Sequence, residues 1–362
     1  MKLETGLFNE ENEVMVSVCC IAYNHGKYIE QTLQGFVKQI TNFRFEVIVH
    51  DDASTDNTKS IIQKYVELYP DLFIPMYETE NQYSKGQGGI NIRIMAPKIR
   101  GKYVAYCEGD DYWSDEHKLQ KQYEALENNP DCSICVHRVQ FIWEDGSLLD
   151  NSDARLNLKL PKKGYDLQPG VIEKEQMAAA LWLNGGYPFH TSSYFHRRSI
   201  PEDLIKGNAE FVKYMNGDMA LLRLCLNHGK FFFISEVMSH RRRGVPGSWN
   251  SRWERTEIQV KLKHLGNQII GDMMFDEYSG YQFHDYISVS CFNLAAACCI
   301  YDTGDSKKYK KYMKENPLSL KVVHDKDSLW LYIRYLIMRV SPQFYKLLYK
   351  IQTKLIKRGV SS

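Results

Sequence analysis

Two apolar, β-branched runs, Val14 to Ile21 and Phe45 to Val49, each end in a short polar turn from which a helix with one apolar face departs. The first turn is Ala22-Tyr23-Asn24-His25-Gly26, and the helix after it gathers Ile29, Leu33, Phe36 and Val37. The second is His50-Asp51-Asp52-Ala53-Ser54-Thr55-Asp56, whose helix carries Ile61, Ile62, Tyr65 and Val66 and stops at Pro70. Strand, turn and helix repeated in this way predict a parallel α/β sheet, in which ligands bind beyond the carboxyl ends of the strands. A third apolar run, Tyr103 to Cys107, ends in Glu108-Gly109-Asp110-Asp111, so all three polar turns are expected on one edge of the sheet.

Adjacent carboxylates at the end of a buried strand repel and raise one another's pKa. A hard divalent cation on a diphosphate would relieve that repulsion, because Mg²⁺ and Mn²⁺ take oxygen ligands and share their shell with phosphates. A solvent-accessible acidic turn capping a helix that begins near Glu116 is the other reading. Asp56 reads as a helix N-cap and Asp51 as a brace of its turn. Asp218 opens the run Met219 to Leu226, closed by Gly229. A carboxylate there is held ionised by the helix dipole, which suits a general base or a plain cap. His240-Arg241-Arg242-Arg243-Gly244 reads as a basic loop suited to a diphosphate, or as a solvated one. Lys85-Gly86-Gln87-Gly88-Gly89 lacks a dinucleotide fingerprint and is a flexible loop or a phosphate nest. His190-Thr191-Ser192-Ser193 is expected to line the centre of the cleft or to satisfy strand-end polar groups.

A net charge of +2 over 362 residues argues against nucleic acid as a partner. Cys19, Cys20 and Cys107 fall in strands and Cys298-Cys299 in an Ala-rich helix, the pattern of reduced core thiols in a cytoplasmic protein. Cys132-Ser133-Ile134-Cys135 has no second pair and reads as part of a strand. The polar, acidic start predicts no signal peptide, and no stretch is apolar enough to span a bilayer. The pattern turns helical after about Trp253, with a break at Asp302-Thr303-Gly304-Asp305. This divides the chain into a catalytic domain, residues 1–252, and a C-terminal helical region, residues 253–362. Beyond Asp327 there is no acidic residue. Two helical segments separated near Pro342 put Lys346, Lys350 and Lys354 on one side and Phe344, Leu347, Leu348, Ile351 and Leu355 on another. Such a hairpin either lies on an anionic membrane surface or packs on the catalytic domain.

Val16-Ser17-Val18 running into Tyr23-Asn24, the Asp51-Asp52-Ala53-Ser54-Thr55-Asp56 turn and Glu108-Gly109-Asp110-Asp111-Tyr112-Trp113, in this order and spacing, resemble a family 2 inverting glycosyltransferase of the GT-A fold. The resemblance continues through His190 to Ser193 and Gly217-Asp218 to about Trp249. It implies a mostly parallel central sheet flanked by helices and a nucleotide-diphosphate-sugar donor, expected to be a UDP-sugar. On the matching positions, Tyr23 and Asp52 would hold the base, Asp110 and Asp111 the ribose and a Mn²⁺ or Mg²⁺ ion on the diphosphate, and Asp218 would be the base. Arg241 and Arg243 would face the diphosphate. Glu108 stands where the family often has Asp, and Arg243 near where it often has His, which leaves those two roles open. The resemblance also implies a saccharide or lipid-linked saccharide acceptor, met at the inner face of the cytoplasmic membrane. A nucleotide-sugar hydrolase, a nucleotidyltransferase and a non-catalytic nucleotide-sugar-binding subunit remain as alternatives.

Overall fold

The computed structural model describes residues 13–85, 94–149, 167–183, 188–200, 210–248, 255–301 and 326–357, together with Ile90, Lys314, 317–319 and Lys321. The segment Gly86 to Gly89 and the break at Asp302 to Asp305 lie outside the described residues. The chain forms two compact units. The first takes in residues up to Ala180, then 186–209 and 216–253; the second takes in 181–185, 210–215 and everything from Glu254 on.

The first unit is built on a nine-stranded sheet of order β3-β2-β1-β4-β8-β6-β9-β5, with β7 paired to β9. Its strands are β1 (Val14–Ala22), β2 (Arg44–Asp51), β3 (Phe73–Tyr77), β4 (Tyr103–Tyr106), β5 (Tyr112–Trp113), β6 (Cys132–Trp143), β7 (Gly170–Ile172), β8 (Phe195–Arg197) and β9 (Lys230–Arg243). Strands β1 to β4 run parallel, as the repeated strand–turn–helix pattern predicts. β6 and β9 are also parallel, whereas β8, β5 and β7 pair antiparallel to their neighbours, so antiparallel strands are added to the parallel core of the sheet. Hairpin-scale strands such as β5 carry no periodicity that could have announced them.

β1 is buried on both faces, which is why it reads as an unbroken apolar run. Val16, Val18, Cys20 and Ala22 pack under Ile29, Leu33 and Phe36 of α1 (Ile29–Val37), and Val47 and Val49 continue that core toward Ile62 of α2 (Thr58–Leu68). α3 (Lys118–Glu127) adds Leu119 and Leu126. α4 (Lys174–Trp182) and α5 (Gly217–His228) complete the set. All nine cysteines are buried and none is disulfide-bonded.

The second unit contains α6 (Ile258–Tyr278), α7 (His284–Tyr301), α8 (Lys326–Val340) and α9 (Pro342–Lys357). Phe275 packs among Trp182, Phe211 and Phe283, and Trp182 Nε1 donates to Asp272 at 3.0 Å. Leu331, Tyr335, Met338 and Tyr345 are buried, while Tyr332, Leu336, Val340, Phe344, Leu347 and Leu348 are exposed. No helix among the described residues is long and apolar enough to cross a membrane.

Candidate active site

The turns after β1 and β2 are laced to each other. Asp52 N donates to Ala22 O at 2.9 Å, Asn24 N donates to Ser54 Oγ at 2.9 Å, and Asn24 Oδ1 accepts from Thr55 N at 2.8 Å. Asn24 and Ala53 both adopt left-handed backbone, φ 54° and 61°, a conformation Asn tolerates and Ala adopts at a cost met by surrounding bonds. Asp56 is not the N-cap: Asn57 holds that position. Its two oxygens are shared, one taking Thr58 N at 2.9 Å and the other Gly26 N at 2.9 Å, so it staples the two turns. Asp51 braces its own turn, accepting from Ser54 N at 3.3 Å.

Tyr23 is exposed at the end of β1, with 40% of its surface accessible, and its ring is open to a ligand. Asp52 is buried. Its Oδ1 accepts from Gln82 N at 2.7 Å and its Oδ2 from Tyr83 N at 3.1 Å, so the carboxylate clamps the segment after β3.

The acidic turn follows β4 and rests against the first one. Gly109 N donates to Ile21 O at 2.9 Å. A Cβ at Gly109 would come within 2.8 Å of His25 Nδ1 and 3.0 Å of Ala22 Cβ, so only glycine permits this approach. Thr32 of α1 donates its hydroxyl to Asp111 O at 2.5 Å and to Gly109 O at 3.1 Å. The turn is not solvent-accessible as expected: Asp110 and Asp111 are 8% and 2% exposed, because α1 and β9 cover them. Glu108 keeps an open outer surface, as a group on a cleft wall does.

Carboxylate oxygens of Glu108, Asp110 and Asp111 lie within 4.8 Å of one another. Desolvation of the carboxyl groups, and then the neighbouring Asp110 charge, push Glu108 up to about 7 and hold Asp111 well above the usual carboxylate range. The Arg241 charge works in the opposite direction on both, so it stands within electrostatic reach of the trio. Asp110 Oδ1 is buried with no hydrogen-bond partner. An orphaned carboxylate oxygen between two further carboxylates fits a divalent cation with oxygen preference. Two histidines flank the trio: His190, expected to line the centre of the cleft, has Nδ1 3.6 Å from Asp111 Oδ2, and His25, which sequence reasoning did not single out, has Nε2 3.9 Å from Asp110 Oδ2. His25 follows Tyr23 in the same turn, and that placement was the available signal.

The basic cluster is a strand, not a loop. His240 to Arg243 extend β9 beside Gln140 to Trp143 of β6, and Tyr112 of β5 stacks on His240 with ring centroids 4.8 Å apart. Charged side chains on an alternating strand leave the ladder intact, and Gly244, at φ 79°, ends it. Arg241 and Arg243 share a face, their guanidiniums 5.5 and 5.7 Å from the Phe141 ring centroid. Arg242 turns the other way, its backbone N donating to Asp111 Oδ1 at 2.9 Å and its guanidinium to the Asp110 carbonyl at 2.7 Å.

Asp218 lies in the first turn of α5, one residue after its start, and its Oδ1 accepts from Met219 N at 2.9 Å. Its charge adds to the upward push on Glu108, so it stands within electrostatic reach of the trio. The structure therefore brings Asp110 and Asp111 together with Glu108, puts the charges of Arg241 and Asp218 within electrostatic reach of them, and sets Tyr23 and Asp52 on the adjoining turns.

Comparison with known proteins supplies a family. The model of Glycosyl transferase family 2 matches residues 17–197, which contain the three turns. An uncharacterized protein of Mycobacterium tuberculosis is 32% identical over 275 residues, covering 75% of this chain and 71% of that one. An uncharacterized glycosyltransferase of Nostoc is 29% identical over 265 residues, 72% of this chain and 75% of its own. In E. coli, the UDP-Glc:alpha-D-GlcNAc-diphosphoundecaprenol beta-1,3-glucosyltransferase WfaP is 36% identical over 114 residues, 31% of this chain and 41% of that one. The solved structure of S. aureus TarS 1-349 in complex with UDP-GlcNAc shares the fold at 14% identity, with a TM-score of 0.54 over 94% of this chain and 92% of that one. The three edge turns, the match across them and the shared architecture lead to one conclusion: the chain belongs to glycosyl transferase family 2 and is a glycosyltransferase with the GT-A fold.

Proposed function

We propose that the enzyme moves a sugar from a UDP-sugar to a hydroxyl of a saccharide or lipid-linked saccharide, with inversion, in a single displacement. The observation that carries this reading is the carboxylate trio, with Asp110 and Asp111 buried, Glu108 open and one Asp110 oxygen orphaned, within electrostatic reach of Arg241 at the carboxyl edge of the parallel strands. Asp110 and Asp111 would hold Mn²⁺ or Mg²⁺ there, and the ion would supply charge neutralisation as the diphosphate departs. Arg241 and Arg243 would add guanidinium donors to the diphosphate. Tyr23 offers an exposed ring to the base, and Asp52 shapes the same wall through Gln82 and Tyr83. A UDP-sugar donor is supported by the names of the E. coli and S. aureus relatives.

Asp218 is the candidate base. The α5 N-terminus favours its ionised form, and its charge is felt at Glu108; both support a base acting close to the metal-bound diphosphate. Inversion needs one base opposite the leaving group and no enzyme nucleophile.

The exposed apolar face of α8 and α9 suits a membrane surface. Tyr332, Leu336, Val340, Phe344 and Leu347 lie open beside exposed Arg339 and Lys350, and no acidic residue follows Asp327. Membrane association of this kind would suit an acceptor on a lipid carrier at the cytoplasmic face of the membrane.

Incubation with a panel of nucleotide sugars and Mn²⁺, read by nucleoside-diphosphate release with and without saccharide acceptors, tests the proposal. Acceptor-stimulated UDP release from one UDP-sugar is expected. Release that no acceptor stimulates would favour a hydrolase instead.

A further inference from the structure

Beside the acidic turn lies a second cavity of about 850 Å³, within the size range of ligand pockets. Arg242 forms its floor, and Lys27, Tyr28, Tyr112, Trp143, Glu144 and Arg243 stand around it. Of the three arginines of β9, Arg242 and Arg243 line it and Arg241 does not.

The floor is already satisfied. The Arg242 guanidinium donates to the Asp110 carbonyl and to Gln31 Oε1, and it lies 5.2 and 5.0 Å from the ring centroids of Tyr28 and Tyr112. It is 9% exposed, which makes it a wall and not a hook for anions. The mouth is different. Trp143, the last residue of β6, has 48% of its surface accessible and lines the cavity, so its indole is open to a ligand there. Next to it, Glu144 accepts from the Tyr28 hydroxyl at 2.5 Å and pairs with Lys27 at 3.5 Å; the Lys27 side chain is 78% exposed.

These groups select a ligand class. A polyanion drawn by Lys27 and Arg243 would meet the carboxylates of Glu144 and Asp145 beside them, and an apolar ligand would have to strip water from an ion pair. A neutral polyhydroxylated ring suits all of them: its C–H face can lie on the indole, while its hydroxyls donate to Glu144 and accept from Lys27. We infer that this cavity binds a pyranose unit of a saccharide, stacked on Trp143 and hydrogen-bonded by Glu144 and Lys27. Arg242 connects the cavity to the carboxylate trio, since its backbone N–H holds Asp111. Assigning the bound unit to the acceptor, remote from the hydroxyl that is glycosylated, rests on the function proposed above; the binding itself does not.

Saturation-transfer NMR on the full chain, with methyl β-glucopyranoside, methyl β-galactopyranoside, methyl N-acetyl-β-glucosaminide and cellotetraose as probes, tests the inference. At least one probe should receive saturation that falls by about threefold or more in Trp143→Ala, the worth of one ring contact, and that saturating UDP with Mn²⁺ leaves in place. Should Trp143→Ala lower the melting temperature, Lys27→Ala at an exposed position carries the same expectation. Transfer to none of the probes, transfer that survives the substitution, or displacement by UDP with Mn²⁺ would overturn it. UDP binding measured in parallel by calorimetry reports on the donor site, so failure of the proposed function is read separately.

Discussion

Arg242 donates its backbone N–H to Asp111 Oδ1 at 2.9 Å, tying the acidic turn after β4 to the far end of β9. The carboxylate therefore has two duties: one oxygen holds a strand, and the other lies 3.6 Å from His190 Nδ1.

Separating the duties gives the first prediction. Asp111→Asn keeps an oxygen for the Arg242 amide but loses the charge, so transfer should fall on the order of 10²-fold, as when one electrostatic stabiliser is removed, while the melting temperature holds. Asp111→Ala also strands a buried amide and should cost about 1–3 kcal/mol of stability in addition. Activity assays beside urea unfolding of both variants check this. Near-normal transfer by Asp111→Asn would remove it from the metal set.

Asp218→Asn preserves an acceptor for Met219 N and so most of the helix start. It cannot take a proton from a hydroxyl at neutral pH. Turnover should drop on the order of 10²–10⁴-fold with donor binding unchanged. A variant that transfers at the wild-type rate would reduce Asp218 to a helix-end carboxylate.

The parallel half of the sheet was legible because its strands are buried on both faces and each ends in a turn of marked composition. Val14 to Ala22 and Arg44 to Asp51 could be read almost to the residue. The edge that gathers Asp110 and Asp111 followed from that topology. The basic cluster was misread because Gly244 and three arginines resemble a loop, whereas pairing to β6 and β5 makes a strand whose alternation separates Arg242 from Arg241 and Arg243. Asp52 and Asp56 were recognised as turn residues, but their partners, Gln82, Tyr83 and Gly26, are set by tertiary approach that no local pattern encodes.

Lys118 gives a pH dependence. It is fully buried, donates to Gln122 Oε1 at 2.6 Å, and burial drives it down to about 7 from 10.5. The Trp113 ring, 4.0 Å from Nζ, favours the charged form and opposes part of that shift. Between those two values the unfolded chain binds more protons than the folded one, so stability should rise with pH from about 7 toward 10.5, by at most about 1.4 kcal/mol per pH unit. Lys118→Met should flatten that rise. Urea unfolding at pH 7, 8 and 9 reads the slope, and an unchanged slope in the variant would contradict the assignment.

The membrane proposal predicts that the full-length chain floats with anionic liposomes at low salt and is released at high salt. Phe344 and Leu347, 50% and 52% exposed, can be replaced by Ser without opening the core. The double substitution should leave the chain in the soluble fraction. Equal flotation of the double variant, or no flotation of the wild type, would end the idea.

The central claim is that the carboxylate trio performs metal-assisted transfer from a nucleotide sugar. Its most direct measurement is the rate of UDP release from the UDP-sugar that the enzyme accepts, in Mn²⁺ and then in excess chelator, for the wild type and Asp111→Asn. The account predicts that chelator abolishes the wild-type rate, that added Mn²⁺ restores it, and that Asp111→Asn stays low throughout. A wild-type rate that persists in chelator would contradict it.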